Sequence, residues 1–188
     1  MKVYLLAIDQ KILYWLNAKV QNLGFLNKFF AEWLVYTMPL VLLWLWFYSE
    51  KSKKVAMRAL TSIILAWPIF ALIIGKITDR PRPFDVGGIR ELIFHRPTYS
   101  FPSDHAAALF ALAASFWFSG DKKLGAIFFG IATVVSVFRV ATGLHFPSDI
   151  VAGAVIGFVA AWLVDLFDKP LNIVYEIIIR LARKVRLA

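Results

Sequence analysis

An all-α membrane helix bundle, with about five transmembrane helices and an amphipathic helix at each end, is the fold class this sequence predicts. Three observations carry that expectation. Hydrophobic residues make up 60 % of the 188 residues and charged residues only 18 %, where soluble domains run near half and a quarter, and mean hydropathy is +0.69. Apolar stretches close to the roughly 20 residues that cross a hydrocarbon core recur about five times. Basic side chains collect in the segments between those stretches and at the carboxy end.

Taken in order, residues 1–22 mix Leu5, Ile8, Ile12, Trp15 and Leu16 with Lys2, Asp9, Lys11 and Lys19. That pattern suits an amphipathic helix lying in the membrane interface. It lacks the continuous apolar core and small-residue cleavage site of a signal peptide. The expected spans are residues 29–48, 55–77, 105–118, 124–144 and 150–167, the third being short. Residues 169–188, with Arg180, Arg183, Lys184 and Arg186, read as a basic amphipathic tail drawn to anionic lipid. No Ser/Gly-rich linker or long repeat divides the chain, so residues 1–188 are expected to form one domain. The net charge of +9 is assigned to the bilayer surface, and no nucleic-acid partner is expected. Zero cysteines exclude disulfides, thiolate metal sites and cysteine nucleophiles.

The long polar interval, residues 78–104, carries four prolines and four arginines. Five spans place it with the amino terminus and the turn between the last two spans. Of the 21 basic residues, eleven fall on the opposite side and ten on this one. Setting aside Lys76, Arg82 and Arg139, which have the functional reading below, leaves eleven against seven. The positive-inside bias then faces the interval away from the cytoplasm.

Within this frame the tetrapeptide Phe-Pro-Ser-Asp occurs twice, at residues 101–104 with His105 behind it and at 146–149 with His145 in front. Proline suits the first turn of a helix and Ser or Asp can cap its free amides, so each copy reads first as a helix start. The histidines add chemistry. If the second helix begins near His145, Asp149 lies four residues on and can accept from one imidazole N–H, freeing the other nitrogen as nucleophile or base. Arg139 lies near the end of an apolar run, where an unpaired charge is costly; it either closes the bundle on Asp149 or awaits an anion. Lys76, Arg82, Ser103, His105, Arg139, His145 and Asp149 all fall at helix ends on one membrane face. Three cations beside two helix amino termini describe a phosphate pocket.

These residues resemble the type 2 phosphatidic acid phosphatases, membrane phosphatases whose motifs are Lys, six residues, Arg-Pro; then Pro-Ser-Gly-His; then Ser-Arg, five residues, His, three residues, Asp. The third motif stands here as FRVATGLHFPSD, with Phe138 in place of serine. The second is PSDH, residues 102–105, with Asp104 in place of glycine. The first is KITDRPRP, with five residues between Lys76 and Arg82 and with Arg80-Pro81 as a competing frame. The resemblance implies that His145 attacks phosphorus to form a phosphohistidine, that Asp149 orients it, and that His105 protonates the leaving oxygen and then activates water. It implies that Lys76, Arg82, Arg139 and Ser103 hold the phosphate oxygens with no metal or other cofactor. The PSDH variant and short chain look like the undecaprenyl diphosphate phosphatase branch, so the expected partners are a lipid diphosphate or phosphate and the bilayer. Asp104 could meet a proton on the second phosphate or cap the third span. Arg80, Arg90 and Arg96 could meet a diphosphate or a lipid surface, and His95 matches no motif. The rival readings are a glycerolipid or lipid A phosphatase of the same mechanism and a noncatalytic anion-binding membrane protein or transporter.

Overall fold

The computed structural model describes residues 7–86, 88–94 and 98–184; Lys2, Leu5, His95, Arg96 and Arg186 lie outside them. Helix α1 (Ala7–Val20) leads into α2 (Phe25–Ala31), a 3-10 turn (Trp33–Tyr36) and α3 (Thr37–Tyr48), which together make the apolar rod Phe25–Tyr48. The chain turns at Ser49, whose Oγ accepts from the Ser52 amide at 3.1 Å while Ser52 Oγ accepts from the Ser49 amide at 2.8 Å. This reciprocal cap starts α4 (Glu50–Ile64). A π-helical segment (Leu65–Ala71) follows, with Pro68 inside it. Proline removes an amide donor, and the wider turn accommodates the loss. Helix α5 (Leu72–Thr78) completes the return, and Asp79 ends it in the left-handed conformation at φ 43°.

After residues 79–103 come α6 (Asp104–Phe118), α7 (Lys122–Ala141), α8 (Pro147–Leu166) and α9 (Asp168–Lys184). Among the described residues, four helical stretches are long and apolar enough to cross a membrane: Phe25–Tyr48, Glu50–Asp85, Lys122–Ala141 and Pro147–Leu166. Helix α6 is the shorter fifth, and its position explains its length. It forms the axis of the bundle against α4, α7, α8 and the π segment, and ten of its 15 residues are buried. It therefore need not present a full lipid-facing surface. Large apolar residues such as Leu40, Phe47, Ile73 and Val151 are instead exposed on the outer helices, where lipid is the solvent.

Small residues bring α8 onto α6. A Cβ on Gly153 would stand 2.5 Å from the Ser103 carbonyl oxygen, and one on Gly157 would overlap the Ala107 carbonyl oxygen. Close backbone approach through glycines four apart is a common packing device in membranes, where apolar burial alone does not drive association. Its result is that the amino termini of α6 and α8 adjoin, with the Ser103 amide donating to the Asp149 carbonyl at 3.0 Å.

The amino-terminal helix is present, but it docks on the bundle along one face. Asp9, Leu13, Asn17 and Val20 are buried against it, and Asn17 Nδ2 donates to the Ala141 and Arg90 carbonyls at 2.8 and 3.0 Å. Ile8 and Trp15 face outward. At the opposite end α9 lies against α4: Tyr175 is buried and donates to Thr61 at 3.1 Å, Lys54 pairs with Glu176 at 2.9 Å, and Arg183 pairs with Glu50.

Candidate active site

The second Phe-Pro-Ser-Asp starts a helix as expected, with Phe146 as the N-cap and Pro147 in the first helical position. The first copy is used differently. Ser103 is the N-cap there, and α6 begins at Asp104, so Pro102 lies outside the helix. Ser103 Oγ accepts from the Ala106 amide at 3.4 Å and can still donate its own proton. One tetrapeptide thus serves two caps offset by two residues, which puts the flanking histidines in different settings: His105 inside the first turn of α6, His145 in the turn ahead of α8.

That offset corrects the expected pairing of His145. Because α8 begins at Pro147, the imidazole does not stack over Asp149 on a helix face. Its Nδ1 lies 2.8 Å from the Ser100 carbonyl oxygen and 3.6 Å from Asp149 Oδ2. A carbonyl only accepts, so Nδ1 carries the proton and Nε2 presents a lone pair. Arg82 agrees with this tautomer: its Nη1 donates to the Leu144 carbonyl at 2.8 Å and approaches His145 Nε2 at 3.3 Å, while Nη2 donates to Thr98 at 2.8 Å. Burial, reinforced by the Arg139 and Arg82 charges and opposed by Asp104, holds the His145 imidazole well below the usual histidine range. It is a neutral base pointing its lone pair among cations.

Asp149 is fully buried and engaged elsewhere. Its Oδ2 accepts from the Phe146 amide at 2.8 Å, capping α8, and its Oδ1 accepts from Arg80 at 2.5 Å. Arg80 spans from Asp149 to Asp9 on α1, at 3.1 Å, and also donates to Ser148 at 2.8 Å. Asp9 in turn accepts from the Ser148 amide and hydroxyl at 2.9 and 2.5 Å. The Arg80 guanidinium stacks 4.2 Å above the Phe146 ring. Arg80 is therefore an internal counter-ion that holds the start of α8, and Arg82 is the arginine of the RPRP run that meets the histidine. Lys76 is exposed on α5.

Arg139 is 1 % exposed, and its Nε and Nη2 have no hydrogen-bond partner among the described residues. Closure of the bundle on Asp149 is not what it does, since Arg80 takes that carboxylate. Phe138, in the place of the resembled family's serine, packs its ring 4.7 Å from that of Phe30 and joins α7 to α2. Asp104 Oδ1 accepts from the His105 amide at 2.8 Å, lies 2.9 Å from His105 Nδ1 and stands 4.0 Å from His145 Nε2. Among the described residues no three His, Cys, Asp or Glu side chains gather as a metal site.

Two cavities meet at Asp104. One of about 160 Å³ runs past Arg82, Thr98, Tyr99 and Pro102. The other, about 220 Å³, is almost wholly apolar and runs from His105 and Ala108 between Val35, Met38 and Trp67. A cavity beside Arg82 and an apolar groove beside His105 suit a molecule with an anionic head and a hydrocarbon body.

Sequence reasoning placed Lys76, Arg82, Ser103, His105, Arg139, His145 and Asp149 at helix ends on one membrane face, and the structure brings Arg82, Ser103, Asp104, His105, His145 and Asp149 together, with Arg139 near His145. It missed Asp9, Ser100, Thr98 and Ser148, and it treated Arg80 as a competing frame and as charge for a diphosphate or a lipid surface. The Asp9-Leu13-Asn17 spacing was the available signal, since it puts a carboxylate and an amide on the same helical stripe as a leucine. A backbone acceptor such as Ser100 leaves no signature.

The family profile described as PAP2 superfamily matches residues 55–170. The bacitracin transport permease protein BcrC of Bacillus licheniformis is 28 % identical over 152 residues, covering 80 % of this chain and 74 % of that protein. The undecaprenyl-diphosphatase BcrC of Bacillus subtilis is 27 % identical over 157 residues, covering 81 % and 79 %. Among solved structures, that of Aquifex aeolicus LpxE superposes with a TM-score of 0.67 at 25 % identity over 87 % of this chain and 98 % of that one. With the family's profile spanning well over half the chain, on the segment that holds every motif, this multi-pass membrane protein belongs to the PAP2 superfamily.

Proposed function

We propose that this protein is a membrane lipid phosphatase that removes the terminal phosphate of a lipid diphosphate, undecaprenyl diphosphate in the first instance, through a phosphohistidine on His145. The observation that carries the reading is the His145 ring: Nδ1–H is committed to a carbonyl, and the Nε2 lone pair is aimed where Arg82 and the unpaired N–H groups of Arg139 would hold phosphate oxygens. His145 Nε2 attacks phosphorus, the bond to the leaving oxygen breaks, and His105 protonates that oxygen. Water then attacks the phosphohistidine, His105 takes its proton, and the P–N electron pair returns to Nε2. Arg82, Arg139, the Ser103 hydroxyl and the α6 amino terminus stabilise the charge of the transferring group. Asp149 acts on His145 mainly through the cap of α8. Lys76, exposed on α5, is assigned the phosphate contact that its motif implies.

The apolar groove beside His105 supports a lipid leaving group, and the similarity to an undecaprenyl-diphosphatase supports the diphosphate. The alternatives are phosphatidic acid, phosphatidylglycerol phosphate or lipid A phosphate with the same steps. A transport role, suggested by the name of one relative, leaves the His145 tautomer without a purpose. The site faces the extracytoplasmic side of the cytoplasmic membrane, and turnover needs no metal. The test is phosphate release by the detergent-purified protein in EDTA, with a polyprenyl diphosphate and phosphatidic acid at matched surface concentration. Preferential release from the diphosphate is expected; dependence on added Mg²⁺ would overturn the assigned roles.

A further inference from the structure

The phosphatase reading, on which this inference rests, uses His105 as acid and base and gives Asp104 no task. The geometry points to one: we infer that Asp104 is the positioning residue of His105, fixing which ring nitrogen works, and is not a ligand of the substrate. Its Oδ1 is 2.9 Å from His105 Nδ1. A carboxylate only accepts, so the proton sits on Nδ1 and Nε2 is the nitrogen turned to the reaction. The same oxygen accepts the His105 backbone amide at 2.8 Å, so the first turn of α6 itself holds the carboxylate still. The two imidazoles of the site are thereby matched: each has its Nδ1 proton held by an oxygen, His145 by Ser100 and His105 by Asp104, and each leaves Nε2 for chemistry.

A substrate-contact role fits the charges poorly. Asp104 Oδ1 stands only 4.0 Å from the nucleophilic nitrogen, where a phosphate oxygen and a carboxylate would repel each other. Held by His105, the carboxylate faces the acid instead of the phosphate. In the first step the His105 Nε2 proton passes to the leaving oxygen as the P–O bond breaks; in the second, Nε2 takes the proton of the attacking water as the P–N bond breaks. The Nδ1 proton stays on the Asp104 side throughout.

An acid matters most for a poor leaving group, and this separates orientation from binding. The experiment measures kcat/KM, which reports the first step, for p-nitrophenyl phosphate, phenyl phosphate and a short alkyl phosphate with wild type, Asp104→Ala, Asp104→Asn, His105→Ala and the Asp104→Ala/His105→Ala double variant. For Asp104→Ala the expected loss is about tenfold or more on the alkyl phosphate and less than about threefold on p-nitrophenyl phosphate. Asp104→Asn, which keeps an acceptor in the same place, recovers part of it, and the double variant is no worse than His105→Ala. An equal loss across leaving groups, or additivity with His105→Ala, overturns the inference. Thermal unfolding of each variant in detergent excludes misfolding, with Asp104→Asn as the variant closest to native. If wild type releases no phosphate from any probe, or His145→Ala keeps full activity, the parent reading falls, and that outcome is distinct from a flat leaving-group profile.

Discussion

At the scale of residues, His145 concentrates the chemistry, and its environment makes two measurable demands. Replacing it with alanine removes the attacking atom, so kcat for phosphate release should fall by at least about a thousandfold. The protein should still elute and melt as a folded species, because His145 lies in a turn ahead of α8 and caps nothing. The second demand concerns pH. The folded imidazole titrates below its unfolded value of about 6.5, for the burial and the two arginines described above. As pH falls through 6.5 the unfolded chain takes a proton that the native state refuses, so this group's contribution opposes folding increasingly on the acid side. The nucleophile meanwhile stays neutral and competent below 6.5. The acid limb of kcat/KM that belongs to His145 should therefore lie below about 6.5; a limb above that value would contradict the burial. Arg139 offers a third check. Its Nε and Nη2 lack hydrogen-bond partners among the described residues, so Arg139→Met should raise the melting temperature or leave it unchanged while abolishing activity, a buried cation with free N–H groups being kept for its substrate.

At the scale of elements, the reach of α1 is what the sequence least disclosed. Asp9 looked like one more charge on a surface helix, since its neighbours Lys11 and Ile8 describe a solvated or interfacial face. Only the docking of α1 turns it toward Arg80, whose partners are separated from it by about seventy residues in either direction. The carboxylate is part of a buried ion pair, so Asp9→Ala should destabilise the protein by about 3 kcal/mol, and Asp9→Asn, which keeps an acceptor for Ser148, by less; thermal or denaturant unfolding in detergent measures both. The spacing of His145 and Asp149 was legible, but which acceptor holds the imidazole was not, because that depended on a helix starting two residues later and on a carbonyl 45 residues upstream. Existence and order of the spans followed from apolar length alone. The shortness of α6 needed the bundle to explain it. The glycines at its contact with α8 have no slack: Gly157→Leu should separate the two helices, lowering the unfolding temperature and kcat together.

At the scale of the whole molecule, the two ends of the bundle carry opposite duties. One end collects the buried network around His145, and the other holds the α4 and α9 ion pairs and the basic turn at Lys122. Orientation can be read directly, since the chain has no cysteine of its own. A membrane-impermeant maleimide should label Arg90→Cys in intact cells and Lys122→Cys only after permeabilisation; the reverse pattern would turn the site to the cytoplasm.

The shortness of α6 has a consequence for how a substrate travels. Fifteen residues of α-helix measure about 22 Å, against a hydrocarbon layer of about 30 Å. The axis of the bundle is thus shorter than the helices around it. With the groove lined by Tyr36 and Trp67, two exposed residues of the apolar outer helices, a lipid can be caught by lateral drift with its tail in the oil. Extraction into water would cost about 0.8 kcal/mol for every methylene uncovered, and an apolar groove beside the acid avoids that barrier.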